Sequence, residues 1–155
     1  MEEVKTIEKA ELDETAVQYI VVKIGNEQYG INIQYIDNIV RSQRITRVPK
    51  SQSYFNGVIN LRGEIIPVMS IRLKLGLEKD EFTDKTRIII IKVDTATIGV
   101  IVDQVKEVVT LDAQDIEKLN RTSMDDAASK YISGIGKNKG ELISLLDIVS
   151  LIEEN

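Results

Sequence analysis

The sequence predicts a mainly β protein of short antiparallel strands, with helices reduced to brief connections. Runs rich in β-branched residues recur along the chain, among them VQYIVVKI, RIIIIKV and IGVIVDQVKEVV. Glycine-containing reversals separate several of these runs. The intervals between them are too short for the crossover helices of a parallel sheet, which favours antiparallel barrels or a sandwich.

Taken in order, residues 1–15 alternate charges with single apolar residues and read as a mobile terminus. The run from Val17 to Ile24 is a strand, and Gly25-Asn26 turns it back into Gln28 to Ile31. Asn32 is placed to cap a short helix in which Ile33, Ile36, Ile39 and Val40 recur at helical spacing. A polar connection, Arg41 to Pro49, leads to Ser51, which is expected to cap a single turn ending at Gly57. Val58 to Leu61 and Ile65 to Met69 then form a hairpin about Arg62-Gly63-Glu64. Pro67 has no amide donor, so its part of the second strand is expected at an edge or a bulge. Ser70 and Gly76 bracket a short helix.

A charged loop from Glu78 to Lys85 divides the chain into two related halves. Beyond it, Arg87 to Val93, a turn at Asp94 to Thr97, and the run ending at Val109 suit strands covered on both faces. Asp112 is placed to cap a brief helix carrying Ile116 and Leu119, and Asn120 to Lys130 reads as a loop. Tyr131 to Ile135 and Leu142 to Leu146 flank a glycine-rich reversal, and an amphipathic helix follows Asp147. Residues 16–155 are therefore expected to form one domain of two subdomains, divided near 78–85.

Composition excludes several function classes. With 155 residues the chain is long enough for one compact domain or two small units sharing a core. Having no cysteine, it has no thiolate nucleophile and no cysteine-bound zinc; having no histidine, it lacks the usual general base and the commonest metal ligand. No cofactor and no metal are expected. A net charge of -5 and 5% aromatic residues disfavour nucleic acid. No apolar run reaches the roughly 20 residues of a membrane span, and the acidic start is unlike a signal peptide, so a cytoplasmic chain beginning at Met1 is expected.

Candidate chemistry is sparse. The stretch Gly134 to Gly140 has phosphate-loop glycines but neither their spacing nor a following helix, and reads as a hairpin turn. Asp94-Thr95-Ala96 has the look of an aspartic-protease turn with alanine in the place of glycine. Asp103, Asp125, Asp126 and Asp147 fit capping and solvation better than catalysis. Arg41, Arg44, Arg47 and Lys50 form a local basic cluster that suits a solvated connection, contact with phosphates or an acidic protein face. Arg62 differs, because a tight turn between apolar strands holds its five donors on a rigid support.

The segments YGINIQYIDNIV, ITRVP, GVINLRGEIIPV, IGVIVDQVKEV and YISGIGKNKGELISLLDI resemble, in order, the CheW family of chemotaxis coupling proteins, from about Val17 to the C-terminus. That resemblance implies two five-stranded SH3-like β-barrel subdomains sharing a hydrophobic core. It also implies a non-catalytic adaptor joining the cytoplasmic tips of methyl-accepting chemotaxis receptors to the regulatory domain of the histidine kinase CheA, recruited to membrane-associated receptor arrays without inserting into the membrane. By position, the implied partner-binding residues are Arg62 with Gly57, Asn60, Leu61 and Gly63; Gly99, Val102, Asp103, Val105 and Val108 in second-subdomain strands; and Ile36 and Ile39. Asn38 stands where the family commonly has glutamate, which puts a salt bridge there in doubt.

Overall fold

The computed structural model describes residues 16–119 and 128–153. Eleven strands among them form two sheets. The first four are β1 (Val17–Ile24), β2 (Glu27–Asn32), β3 (Ile36–Arg41) and β4 (Phe55–Leu61). β5 (Glu64–Ser70), β6 (Arg87–Val93), β7 (Ala96–Val102) and β8 (Gln104–Leu111) follow. The last are β9 (Ile116–Lys118), β10 (Ile132–Asn138) and β11 (Glu141–Leu146), and two short helices, α1 (Ile71–Lys74) and α2 (Ile148–Glu153), follow β5 and β11. One sheet runs β8-β1-β2-β11-β10-β9 and the other β3-β6-β7-β5-β4. The expected two sets of five strands are thus a set of five and a set of six, the sixth being the three-residue β9.

Four isoleucines in β6 show how sequence becomes packing. Side chains alternate between faces of a strand. Ile89 and Ile91 enter a central core shared by both sheets, with Ile20, Val22, Val100 and Leu146. Ile88 and Ile90 turn the other way, into a smaller cluster with Ile59, Ile66, Val68 and Ile101, all from the five-stranded sheet. The six-stranded sheet has its own counterpart in Val21, Val109, Leu111, Ile143 and Leu145. A strand covered on both faces has no polar alternation, and each fully buried isoleucine contributes about 1.5–3 kcal/mol.

The expected division near 78–85 does not separate the sheets. That segment joins α1 to β6, which returns to the sheet that β3 to β5 began. The six-stranded sheet instead combines the first two strands with the last four. The two units are still related, but by circular permutation. The β4–β5 and β10–β11 hairpins correspond, each followed by a short helix, and β6–β7 corresponds to β1–β2. Each sheet holds one parallel pair at the matching place, Val68 opposite Gly99 and Leu145 opposite Gly30. Both of those glycines admit a close neighbour: an added Cβ would lie 2.8 Å from Ile88 Cγ2 at Gly99 and 2.8 Å from Leu145 Cδ2 at Gly30.

Other local expectations need correction. Asn32 does cap a turn, its Oδ1 accepting from Gln34 N, but the 3-10 turn stops at Tyr35 and Ile36 begins a strand. A bulge between Ile36 and Asn38 adds one residue to β3, which gives Ile36 and Ile39 a spacing that imitates a helix. Ser51 caps no turn ending at Gly57; its hydroxyl donates to Val48 O, and the chain is already extended from Phe55. The segment after Asp112 is a 3-10 turn, Ala113–Asp115, followed by a strand that contains Ile116. Of the two places expected for Pro67, the edge is excluded because β5 lies between β4 and β7, whereas a bulge does occur beside it, where the β4–β5 register shifts between Phe55 and Gly57. The proline is tolerated because pairing with β7 begins only at Val68, and Val58 opposite exchanges its backbone hydrogen bonds with Thr46. The Ser70 cap on α1 stands as expected, with Ser70 Oγ accepting from Leu73 N at 3.1 Å. The segment 1–15 and most of the loop from Asn120 lie outside the described residues.

Candidate functional site

The β4–β5 turn positions Arg62. Both Arg62 (φ 54°) and Gly63 (φ 83°) are left-handed, as a type I′ hairpin requires. Asn60 Oδ1 accepts from Gly63 N at 3.0 Å and closes the turn. A left-handed conformation costs a non-glycine residue on the order of 1 kcal/mol. The Arg62 side chain does not offset that cost, since it is exposed and makes no hydrogen bond or ion pair with any described residue. Leu61 packs on the smaller core of its own sheet, so the tip is held rigidly from beneath. Directly after the turn, Ile65 is 60% exposed.

The second group of expected residues converges on two equivalent sheet edges. β3 is one edge and β8 another. Ile36 pairs with Ile91 and Ile39 with Ile89; Val105 pairs with Val22 and Val108 with Ile20. Because β6 and β1 correspond, Ile36 matches Val105 and Ile39 matches Val108. Each pair straddles a bulge, after Ile36 on β3 and at Lys106 opposite the Val21/Val22 step on β8. Ile36, Ile39 and Val105 are half-buried against the shared core, while Val108 is 51% exposed. The result is an apolar rim on either side of the place where the sheets meet. Asn38 turns its Oδ1 to Ile39 N at 2.8 Å, so in this conformation it steadies the bulge.

Four expected site residues are buried or partly buried. Gly57 (φ 140°) is buried, and a Cβ there would overlap Thr46 O and lie 2.7 Å from Thr46 C. Gly99 is also buried, and Val102 is completely so. Both lie in β7, in the same sheet as Arg62 and not in the sheet that holds Val105 and Val108. Asp103 stands between β7 and β8, where the chain changes sheets. Its Oδ1 accepts from Arg72 Nε at 3.0 Å, its Oδ2 accepts from Arg72 Nη2 and from Gly25 N, and its own amide donates to Lys23 O. Burial raises its pKa, but the Arg72 hydrogen bond, the Gly25 amide and the charges of Arg72 and Lys23 outweigh that and hold the carboxyl below its usual range.

The rival chemistries find no constellation. Asp94 is exposed at the β6–β7 tip, next to its charged neighbour Lys92 and the surface ion pair of Lys92 with Asp37 at 3.6 Å. The Gly134 to Gly140 stretch is the β10–β11 hairpin, turning at Lys139 (φ 49°) and Gly140 (φ 81°). Arg41, Arg44, Arg47 and Lys50 are all exposed along the connection from β3 to β4. Among the described residues no group of carboxylates is arranged to hold a metal, and no helix is long and apolar enough to cross a membrane.

Residues 18–155 match the family model described as the CheW-like domain. Chemotaxis protein CheW of Bacillus subtilis is 34% identical over 140 residues, covering 90% of this chain and 89% of the relative. CheW of Thermotoga maritima is 35% identical over 132 residues, 85% of each chain. The crystal structure of the scaffolding protein CheW from Thermoanaerobacter tengcongensis superposes with a TM-score of 0.80 at 31% identity, over 90% of this chain and 94% of that one. This chain belongs to the CheW-like family. Its fold is that of the CheW scaffold, mainly β in two sheets, and the family is one of non-catalytic chemotaxis adaptors.

Sequence reading missed two features. One is the apolar hollow lined by Val48, Phe55, Gly57, Val58 and Pro67, with a volume of about 230 Å³, which depends on the Thr46 segment folding back onto β4. The other is the Arg72 partner of Asp103, which is 31 positions away and marked by no motif.

Proposed function

We propose that this CheW-like chain couples methyl-accepting chemotaxis receptors to the regulatory domain of the histidine kinase CheA, as a cytoplasmic adaptor recruited to receptor arrays. The carrying observation is Arg62, whose guanidinium has no partner among the described residues and stands in a left-handed turn at the tip of a hairpin. A residue kept at a conformational cost without an internal partner is poised for an external one. Beside it stands an apolar rim from two equivalent edges, Ile36 with Ile39 and Val105 with Val108, of a kind that takes the apolar face of a helical bundle.

In this reading Asn60, Leu61 and Gly63 shape the Arg62 tip, Asn38 sets the bulge that presents Ile39, and Gly57, Gly99, Val102 and Asp103 support the surfaces from below. Each contact area would fall at or below the usual 1,200 to 2,000 Å², giving modest pairwise affinity that an array multiplies through simultaneous contacts. The test is reconstitution of the protein with CheA and a receptor signalling fragment, reading kinase activation and co-sedimentation. Activation above the kinase alone is expected. Absence of association with both partners removes the proposal.

A further inference from the structure

Helix α1 reaches across the junction between the sheets at two points. Arg72 forms its forked contact with Asp103, which also holds the β1–β2 turn through Gly25. Lys74 Nζ lies 4.3 Å from the ring centre of Tyr54 and 5.2 Å from that of Tyr131, the two matching tyrosines of the related units. At the N-terminus of α1, Ser70 Oγ donates to Asp80 Oδ2 at 2.5 Å, tying the 78–85 loop to the same helix. Gly25 and Lys23 belong to one sheet, whereas α1 continues from the other. Asp103 therefore pins the sheets together at their crossover.

The related units do not share this pin. The correspondence that aligns Ser70 with Asp147 at the helix caps places Val149 where Arg72 stands. The correspondence that aligns Ile36 with Val105 places Gln34 where Asp103 stands. An apolar and a neutral residue hold the other side. Val149 and Gln34 cannot form a guanidinium–carboxylate fork, so the directional contact of Arg72 with Asp103 has no counterpart at the matching positions.

We propose that Arg72 and Asp103 are positioning residues, a one-sided pin that sets the angle between the sheets and with it the separation of the rims carrying Ile36 and Ile39 and Val105 and Val108. Asp103 is two residues from Val105, so its placement fixes where β8 enters the second sheet. A bidentate guanidinium contact is directional, which suits it to setting an angle rather than adding bulk stability. The binding consequence rests on the adaptor reading above; the geometric consequence does not.

The chain has no cysteine, so Arg41→Cys on β3 and Thr110→Cys on β8 introduce the two spin labels with no competing site. Pulsed electron resonance on the full chain is expected to give one narrow distance, retained in part by Arg72→Lys and broadened or shifted by Arg72→Met, which leaves the Asp103 contact with Gly25 intact. Asp103→Asn is the second arm and should broaden the distance likewise. Affinity for a receptor-tip helical hairpin should fall about tenfold in Arg72→Met, with association to the kinase regulatory domain unchanged. An unchanged distance in folded Arg72→Met and Asp103→Asn overturns the pin. Unfolding of both variants also overturns it, because the pair would then be a condition of the fold. If the unsubstituted protein binds no receptor hairpin, the adaptor reading fails and the distance measurement still decides the pin.

Discussion

The carbonyl of Thr46 occupies the space that a side chain on Gly57 would need. Thr46 and Val58 exchange backbone hydrogen bonds at 2.8 Å in both directions, which brings the Thr46 segment directly over the glycine. Gly57→Ala must move that backbone and adopt an unfavourable φ near 140°. We expect a loss of about 3 kcal/mol or more, read as a lowered urea midpoint with unchanged slope. Lost partner binding in this variant would then follow from unfolding, and a stable but non-binding Gly57→Ala would reverse the assignment.

Arg62 should behave in the opposite way. Arg62→Asn keeps a residue that tolerates the left-handed turn and is expected to raise stability by about 0.5–1 kcal/mol, while Arg62→Ala stays within about 0.5 kcal/mol of the parent. Either change should weaken an association with receptor or kinase by up to about 2 kcal/mol in calorimetry. Intact binding with a large fall in thermal stability would make the arginine structural.

How far the sequence discloses this molecule depends on which force is at work. The four isoleucines of β6 were readable because covering both faces of a strand leaves a contiguous apolar run. The Arg62 turn was readable because glycine marks a positive φ. Ile36 and Ile39 misled, because the bulge at β3 changes a period of two into a spacing of three, and Val105 and Val108 carry the same signature at the matching place. The partition into sheets was hidden, since pairing β2 with β11 joins strands from opposite ends of the chain. The surroundings of Asp103 were hidden as well: the family resemblance singles out its position, whereas its partner Arg72 lies 31 positions away and is identified by geometry alone.

Two carboxylates in the α1 network should titrate with opposite effects on stability. Burial pushes the Asp80 carboxyl above its ordinary value of 3.8, opposed in part by the Ser70 hydroxyl and the Arg72 charge. The folded state therefore holds that proton more tightly than the unfolded chain, so the contribution of Asp80 falls as pH rises from 3.8 through its folded value. Asp103 is depressed, so its contribution is present above 3.8 and is lost as pH falls through its lower folded value. Urea midpoints across roughly pH 3 to 7 should show Asp80→Asn gaining on the parent with rising pH and Asp103→Asn losing. Slopes of one sign in both variants would contradict this arrangement.

Substitutions at Val102 and Val108 should separate folding from binding within one stretch of chain. Val102 is fully buried in the shared core, and Val108 is 51% exposed on the β8 edge. Removing two buried methyl groups from a close-packed site leaves a void, so Val102→Ala is expected to cost about 2 kcal/mol. Val108→Ala should change stability by no more than about 0.5 kcal/mol, since its side chain already meets water. Val108→Asp goes further, placing a charge where the helical partner's apolar face would sit and leaving it desolvated without a counterion in the complex. Receptor-hairpin binding should therefore fall at least tenfold in Val108→Asp at nearly parental melting temperature, a loss of about 1.4 kcal/mol or more. Unimpaired binding by this variant would move the helical partner away from the β8 edge.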